Sequence, residues 1–227
     1  MEMEITLPDQ IAVMTLPNVT FFPQALLPLH IFEPRYREML AASLATDRLF
    51  AVAGLDAERS KSSSHPEMPH RVATLGIVRA CQASEDGTSN LLLQGIARVE
   101  VLEIVREQPF RLVKIRALSS KAGAPAEENH RLRQNVARLI RTKQRLGSNV
   151  GDEFTDFLGT VKDPEAFVDI AAFSLCEDTR LKQKLLETLD VHRRLELFSA
   201  GLRSEIESIK LQRKLQGRLS DDAILDN

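Results

Sequence analysis

The sequence predicts an α+β protein, with a β-rich lobe over residues 1–120 that closes into a small twisted barrel and a helical bundle over 121–227 that ends in a long helix. Three observations carry this expectation. Apolar residues recur at about every second position in the returning runs before residue 118, and at about every 3.6 positions after 126. The stretch between them, Ser119-Ser120-Lys121-Ala122-Gly123-Ala124-Pro125-Ala126, consists of small residues and breakers around a single lysine. The second half also carries explicit helix starts, clearest in Asp163-Pro164-Glu165, where a capping carboxylate precedes a first-turn proline and an acidic residue suited to the positive helix end.

In the first half, Ile11-Ala12-Val13-Met14 reads as a strand, and Leu16-Pro17-Asn18-Val19-Thr20-Phe21-Phe22-Pro23 as turns and short extended pieces. The run from Leu26 to Phe32 is β-compatible, but Pro28 cannot donate a ladder hydrogen bond, which favours an edge or a bulge. Glu33-Pro34 then opens a helix, with Tyr36, Met39, Leu40 and Leu44 at the spacing of a buried face. Leu49 to Leu55 is apolar throughout, as an inner strand should be. The polar, serine-rich stretch from Asp56 to His70 reads as an exposed, mobile loop. Strand signals resume at Val72, turn at Asp86-Gly87 and return through Leu91 to Val105. With Phe110 to Leu118 they form an antiparallel meander, interrupted by a bulge at Gly95.

In the second half, Leu132, Val136, Leu139 and Ile140 form one apolar stripe on a helix that Gly147 can end. Phe154, Phe157 and Leu158 mark a second short helix. Phe167, Ile170 and Ala171 follow the Asp163 cap, Leu181, Leu185 and Leu189 mark the next helix, and Asp190 caps the last one from Val191.

Composition limits the function classes. The 227 residues are 43% apolar and 27% charged, an ordinary globular mix, and a net charge of -2 provides no bulk attraction for nucleic acid. No apolar run approaches the roughly 18 residues of a membrane-spanning helix. Cys81 and Cys176 lack metal-ligand spacing and no secretory leader is apparent, so a cytoplasmic location is expected.

Catalytic motifs are also missing. No Gly-Lys pair exists to build a phosphate-cradling loop. His65 and His70 lack the His-Glu-x-x-His arrangement and neighbouring cysteines, so no metal is expected. Ser62, Ser63 and Ser64 beside His65 lie in a stretch too loose to hold a nucleophile against its base. Arg131, Arg133, Arg138, Arg141, Lys143 and Arg145 make the first bundle helix basic. With no interleaved aromatic residues for base stacking, the expectation is a solvated face rather than a nucleic-acid site.

Two sets of short motifs, Leu16-Pro17-Asn18-Val19, Phe22-Pro23, Pro28-Leu29 and Phe32-Glu33-Pro34-Arg35-Tyr36, then Asp163-Pro164, Leu186-Glu187, Asp190-Val191, Arg194-Leu195-Glu196 and Ser204-Glu205-Ile206, occur in order along nearly the whole chain. In these the sequence resembles the amino-terminal substrate-binding domain of the Lon family of ATP-dependent proteases. The resemblance implies a PUA-like pseudo-barrel joined to a helical bundle. It also implies a non-catalytic module, without cofactor, that binds unfolded or regulatory polypeptides and could act with or against Lon protease itself. RNA binding through the barrel and a cryptic hydrolase are the alternatives.

Two surfaces stand out for such binding. The corner containing Glu33, Arg35 and Tyr36, with Phe21, Phe22, His30 and Phe32 beside it, could line a peptide groove through apolar contacts and a few polar anchors, or could simply position the fold. In the Tyr36 reading, the ring is buried and the hydroxyl stays hydrated. On the last helix, at about 100° per residue, Leu195, Phe198, Leu202, Ile206 and Ile209 share one stripe, while Leu211, Leu215 and Leu219 fall near the opposite side. Either the helix breaks before Gly217 and folds back, or its tail offers an apolar strip for self-association or a partner.

Overall fold

Strand β1 (Gln10–Leu16) lies parallel to β3 (Leu49–Gly54), in register from Val13↔Ala51 to Leu16↔Gly54. Both are apolar on both faces because both faces are covered. In the computed structural model, which describes residues 7–63, 65, 67–147 and 150–216, Ile11, Val13, Leu49, Ala51 and Ala53 fill the barrel interior with Leu75, Val99 and Val113. Their neighbours Ala12, Met14, Phe50 and Val52 point the other way, into a second apolar cluster shared with the helices. A parallel pair needs a crossover, which here consists of β2 (Leu26–Ile31) and α1 (Pro34–Leu44). Periodicity does not encode strand direction, so this parallel pair leaves no mark in the sequence.

The meander is as expected. β4 (Val72–Ala83), β5 (Ser89–Arg106) and β6 (Leu112–Leu118) are antiparallel in turn, and β6 pairs with both β5 and β1, closing a five-stranded ring. β2 stays outside the ring, paired only with the first half of β5. It is therefore an edge strand, as Pro28 required. The register of β4 and β5 slips beside Gly95, where Leu75 faces Ala97 but Gly76 faces Gly95, so Ile96 is the extra residue of a bulge.

The serine-rich stretch departs from expectation. Ala57–Ser62 form a helix, α2, because the Asp56 carboxylate accepts from the Arg59 amide at 3.0 Å and helix-forming residues follow. The returning chain is tied down by Asp56 N donating to Met68 O at 2.8 Å and His70 N donating to Gly54 O at 2.9 Å. Ser64 lies outside the described residues.

The bundle contains α3 (Ala126–Arg145), α4 (Asp152–Thr160), α5 (Pro164–Leu175), α6 (Thr179–Glu187) and α7 (Val191–Gln216). Asp163 caps α5 through the Ala166 amide at 2.7 Å, and Asp190 caps α7 through the Arg193 amide at 2.8 Å. Helices α3 and α7 run side by side in the same direction. Asn129 meets His192 at one end, 2.9 Å apart, and at the other Arg213 donates to the Leu146 carbonyl at 2.9 Å. Gly147, at φ 76°, ends α3 with its amide on the Gln144 carbonyl. Val136, Ile140, Phe167, Ala171, Leu185, Leu195, Phe198, Leu202 and Ile206 are buried as the stripes predict. Leu44, placed on the buried face of α1, is not. α4 is only nine residues long and turns Thr155 and Leu158 inward, leaving Phe157 exposed against Phe154, with ring centroids 6.4 Å apart.

A buried ionic cluster clasps barrel to bundle. Arg98 of β5 donates both terminal nitrogens to Asp169 of α5 at 2.7 Å each, and its Nε donates to the Leu186 carbonyl at 3.0 Å. Arg194 of α7 also donates to Asp169, and to Ser120 at 2.6 Å and Glu165 at 3.0 Å. Two guanidiniums and two carboxylates thus balance where the lobes meet.

Candidate peptide-binding surface

The outer face of β2 is built by simple alternation. Ile31 points into the core and Leu27 and Leu29 are half-buried, which leaves Leu26, Pro28 and His30 on the open side, with Phe32 continuing their row. Leu26 is 50% exposed and Phe32 60% exposed, unusually open for side chains of this size. The His30 and Phe32 rings stack at 6.0 Å with 23° between their planes, and His30 Nδ1 lies 2.8 Å from Asn90 Oδ1 on β5. The apolar row is thus held by a strand and a fixed imidazole. Beyond Phe32 a recess of about 480 Å³ opens between α1 and the β4–β5 turn, lined by Pro34, Arg37, Leu40, Ala41, Leu44 and Gly87 among others.

The strand's free edge is blunted. Gly95 N donates to Ala25 O at 3.0 Å, and the alternation of an antiparallel pair then places Leu27, Leu29 and Ile31 in the bonded positions, with Pro28 facing the open edge. An added strand would find no donor at Pro28, which interrupts the open-edge positions Leu26 and His30 and favours the apolar side-chain face over strand addition.

The corner residues divide sharply. Phe21 and Phe22 are fully buried in the shared core and cannot line a groove, because Phe21 packs edge-on to Phe173 and Phe22 lies beneath Arg98. Tyr36 is also buried, and its hydroxyl is not hydrated but donates to the Thr15 carbonyl at 3.1 Å, fastening α1 to β1. Burial pushes the Tyr36 phenol above its ordinary value. Arg35 sits 4.5 Å over the Tyr36 ring and links Glu33 at 2.9 Å to Glu67 at 2.5 Å. The hydrogen bond from Arg35 holds the Glu67 carboxyl below its usual range. His30 and Phe32 therefore remain as surface candidates, Glu33 and Arg35 form a half-exposed ionic rim, and Leu26 is the member that sequence reading missed. A strand apolar on both faces, yet marked as an edge by proline, was the available signal.

On α7 the chain stays helical through Gln216, with Leu211 59% exposed and Leu215 55% exposed, while Leu219 lies outside the described residues. Two members of the basic set on α3 turn out to be internal. Arg133 donates to the Val161 carbonyl at 2.8 Å and lies 4.8 Å over the Phe167 ring, and buried Lys143 pairs with Glu205 at 2.6 Å. The basic face is correspondingly smaller than the sequence suggests.

His65 pairs with Glu107 at 3.0 Å and His70 lies 3.6 Å from Asp56. Among the described residues no group of three His, Cys, Asp or Glu side chains could hold a metal, and no helix is long and apolar enough to cross a membrane. Burial, followed by the Glu205 charge, pushes the Cys176 thiol up to about 11. A thiol held neutral in this way should resist iodoacetamide at pH values where a free cysteine reacts, and peptide mass spectrometry of the native and the urea-unfolded chain should show Cys176 labelled only after unfolding, whatever the partly exposed Cys81 does.

These features define a class, a closed mixed barrel with one appended edge strand, clasped to an all-α bundle. The chain belongs to the ATP-dependent protease La (LON) substrate-binding domain family, whose model matches residues 10–202. It is 24% identical over 216 residues to the Lon protease of Desulfosudis oleivorans, covering 95% of this chain and 26% of that protein. With the Lon protease of Dictyoglomus thermophilum it shares 23% identity over 217 residues, 95% of this chain and 27% of the relative. The chain thus spans about a quarter of the length of these relatives. Two solved structures share the fold. The N-terminal domain of Mycobacterium avium complex Lon protease superposes with a TM-score of 0.65 at 16% identity, covering 86% of this chain and 98% of that one. The Lon N-terminal domain protein from Xanthomonas campestris gives 0.62 at 19% identity, covering 84% and 97%.

Proposed function

We propose that this chain is a non-catalytic polypeptide-binding module that engages exposed apolar segments of unfolded or regulatory proteins through the outer face of β2. The observation that carries the reading is the row Leu26, Pro28, His30 and Phe32, an apolar strip on a rigid edge strand with an ionic rim at Glu33 and Arg35. A strip of this kind costs solubility unless something covers it. Side-chain contact suits clients of varied sequence, since the blunted edge does not demand a fixed backbone register. Family membership supports substrate recognition as the role and makes a full-length Lon protease a plausible cooperating or competing partner, and we set the chain in the cytoplasm. Leu211 and Leu215 are the surface for self-association or partner docking.

The test is a single substitution. Phe32→Ser should weaken capture of fluorescein-labelled reduced casein by about tenfold in anisotropy titrations, roughly 1.4 kcal/mol, with unchanged circular dichroism and melting temperature. Equal capture by both proteins would place the client surface elsewhere. Casein incubated with the chain and ATP should remain uncut on a gel; cleavage would restore the hydrolase reading.

A further inference from the structure

The cleft between the barrel and α6 contains a polar group without a partner, and it lies apart from the β2 surface. Its volume is about 550 Å³, with one wall formed by Asn18, Val19, Thr20, Gly54 and His70 and the other by one stripe of α6, Arg180, Gln183, Lys184 and Glu187. Gly54 keeps the barrel wall flat. A Cβ there would come within 2.9 Å of the Val19 carbonyl and 3.1 Å of the His70 ring.

Gln183 is more than nine-tenths buried, and its Oε1 has no hydrogen-bond partner. The amide orientation is fixed by its other end, since Nε2 donates to the Val72 carbonyl at 3.3 Å and to Glu187 Oε1 at 2.8 Å, both pure acceptors. Oε1 therefore lacks a protein partner, and it lies at the Gly54 wall, 3.7 Å from where a Cβ on that residue would stand. Two residues of the same stripe, Arg180 and Lys184, are exposed cations with no ion pair among the described residues. An unpaired acceptor beside two unpaired cations selects a ligand that brings a donor and an anion together. A fully ionised phosphate brings acceptors alone and leaves Gln183 Oε1 unmet, whereas a peptide carboxylate comes with a neighbouring N–H.

We infer that this cleft binds a peptide carboxylate, with Arg180 and Lys184 taking the anion and Gln183 Oε1 accepting an amide N–H adjacent to it. Such a carboxylate is supplied either by a polypeptide's free C-terminus or by an acidic side chain on an extended segment. The site is independent of the apolar strip on β2 and gives clients a polar second anchor.

Three labelled Ala/Ser peptides test this in anisotropy titrations with the intact chain, one with a free C-terminus, one amidated, and one amidated but ending in aspartate. The free acid should bind at least about tenfold more tightly than the neutral amide. Binding of the aspartate peptide at free-acid strength assigns the site to acidic residues generally; its failure assigns it to chain termini. The exposed pair Arg180→Glu and Lys184→Glu should abolish the preference without altering the melting temperature, and Phe32→Ser should leave it intact. Equal affinity for all three peptides, or no binding by any, overturns the inference and leaves the cleft to water.

Discussion

Asp169→Ala should be the most damaging side-chain truncation on the clasp between barrel and bundle, costing about 3–5 kcal/mol in urea unfolding. Asp169 is 1% exposed and is shared by two guanidiniums, Arg98 at 2% exposure and Arg194 at 0%. Without it, Arg98 retains only the Leu186 carbonyl, with the Glu165 carboxylate 3.6 Å away, and its charge sits in the apolar joint. Arg194 is better supplied, with Ser120 and Glu165 as further acceptors, although its Nε already lacks a partner. The expected order of destabilisation is therefore Asp169→Ala above Asp169→Asn. The double change Arg98→Met with Asp169→Leu should recover part of the loss, because two apolar side chains remove the stranded charge. A double variant no more stable than Asp169→Ala would show that the cluster's geometry matters more than the compensation of its charges.

The same cluster contributes to the loss of stability in acid. Burial pushes the Glu165 carboxyl up, but the hydrogen bonds from Ser120 and Arg194 and the charges of Arg194 and Arg98 outweigh it, so it titrates below its ordinary 4.5. A folded value below the unfolded one means that the unfolded chain binds the proton more readily. The stabilisation is present above pH 4.5 and is lost as pH falls through the folded value. Glu165→Gln should lower stability at neutral pH and flatten the acid limb of a stability–pH curve measured by urea midpoints.

The elements that could be read along the sequence are those whose signal is local. The cap at Asp163, the hairpin at Asp86-Gly87, the edge strand at Pro28 and the buried stripe through Leu195, Phe198, Leu202 and Ile206 each depend on neighbours within a turn or two. The parallel pairing of β1 with β3, the clasp of Arg98 with Asp169, and the burial of Arg133 and Lys143 depend on residues far apart in the chain. A charged residue carries no mark of whether it will meet solvent or a distant carbonyl. The candidate peptide surface was half legible for the same reason. The corner was found by its composition, but Phe21, Phe22 and Tyr36 proved to be its foundation, and Leu26 with Phe32 its outer face. Replacing Tyr36 would consequently report on folding, and only the Phe32 variant isolates binding.

Gly95→Ala should separate these two roles from the opposite direction, by leaving every side chain of the surface intact and removing its support. A Cβ at Gly95 would lie 2.1 Å from the Phe22 carbonyl oxygen, 2.9 Å from its carbon and 3.1 Å from Pro23 Cα, all backbone that no rotamer change can move. The contact is close because the chain entering β2 crosses β5 there, with Gln24 N donating to Gly95 O at 2.9 Å and Gly95 N donating to Ala25 O at 3.0 Å. An added methyl must push this crossing outward, breaking both bonds and lifting fully buried Phe22 from the core, at a cost of about 3 kcal/mol or more. β2 is held by β5 alone, so the strand should loosen before the five-stranded ring does. Hydrogen exchange should show faster labelling of the amides of Leu27, Leu29 and Ile31 while those of β1 and β3 stay protected. Casein capture should then fall together with stability in Gly95→Ala, whereas in Phe32→Ser it falls alone. If the β2 amides of Gly95→Ala kept their native protection, the close crossing would not be what holds the candidate surface in place.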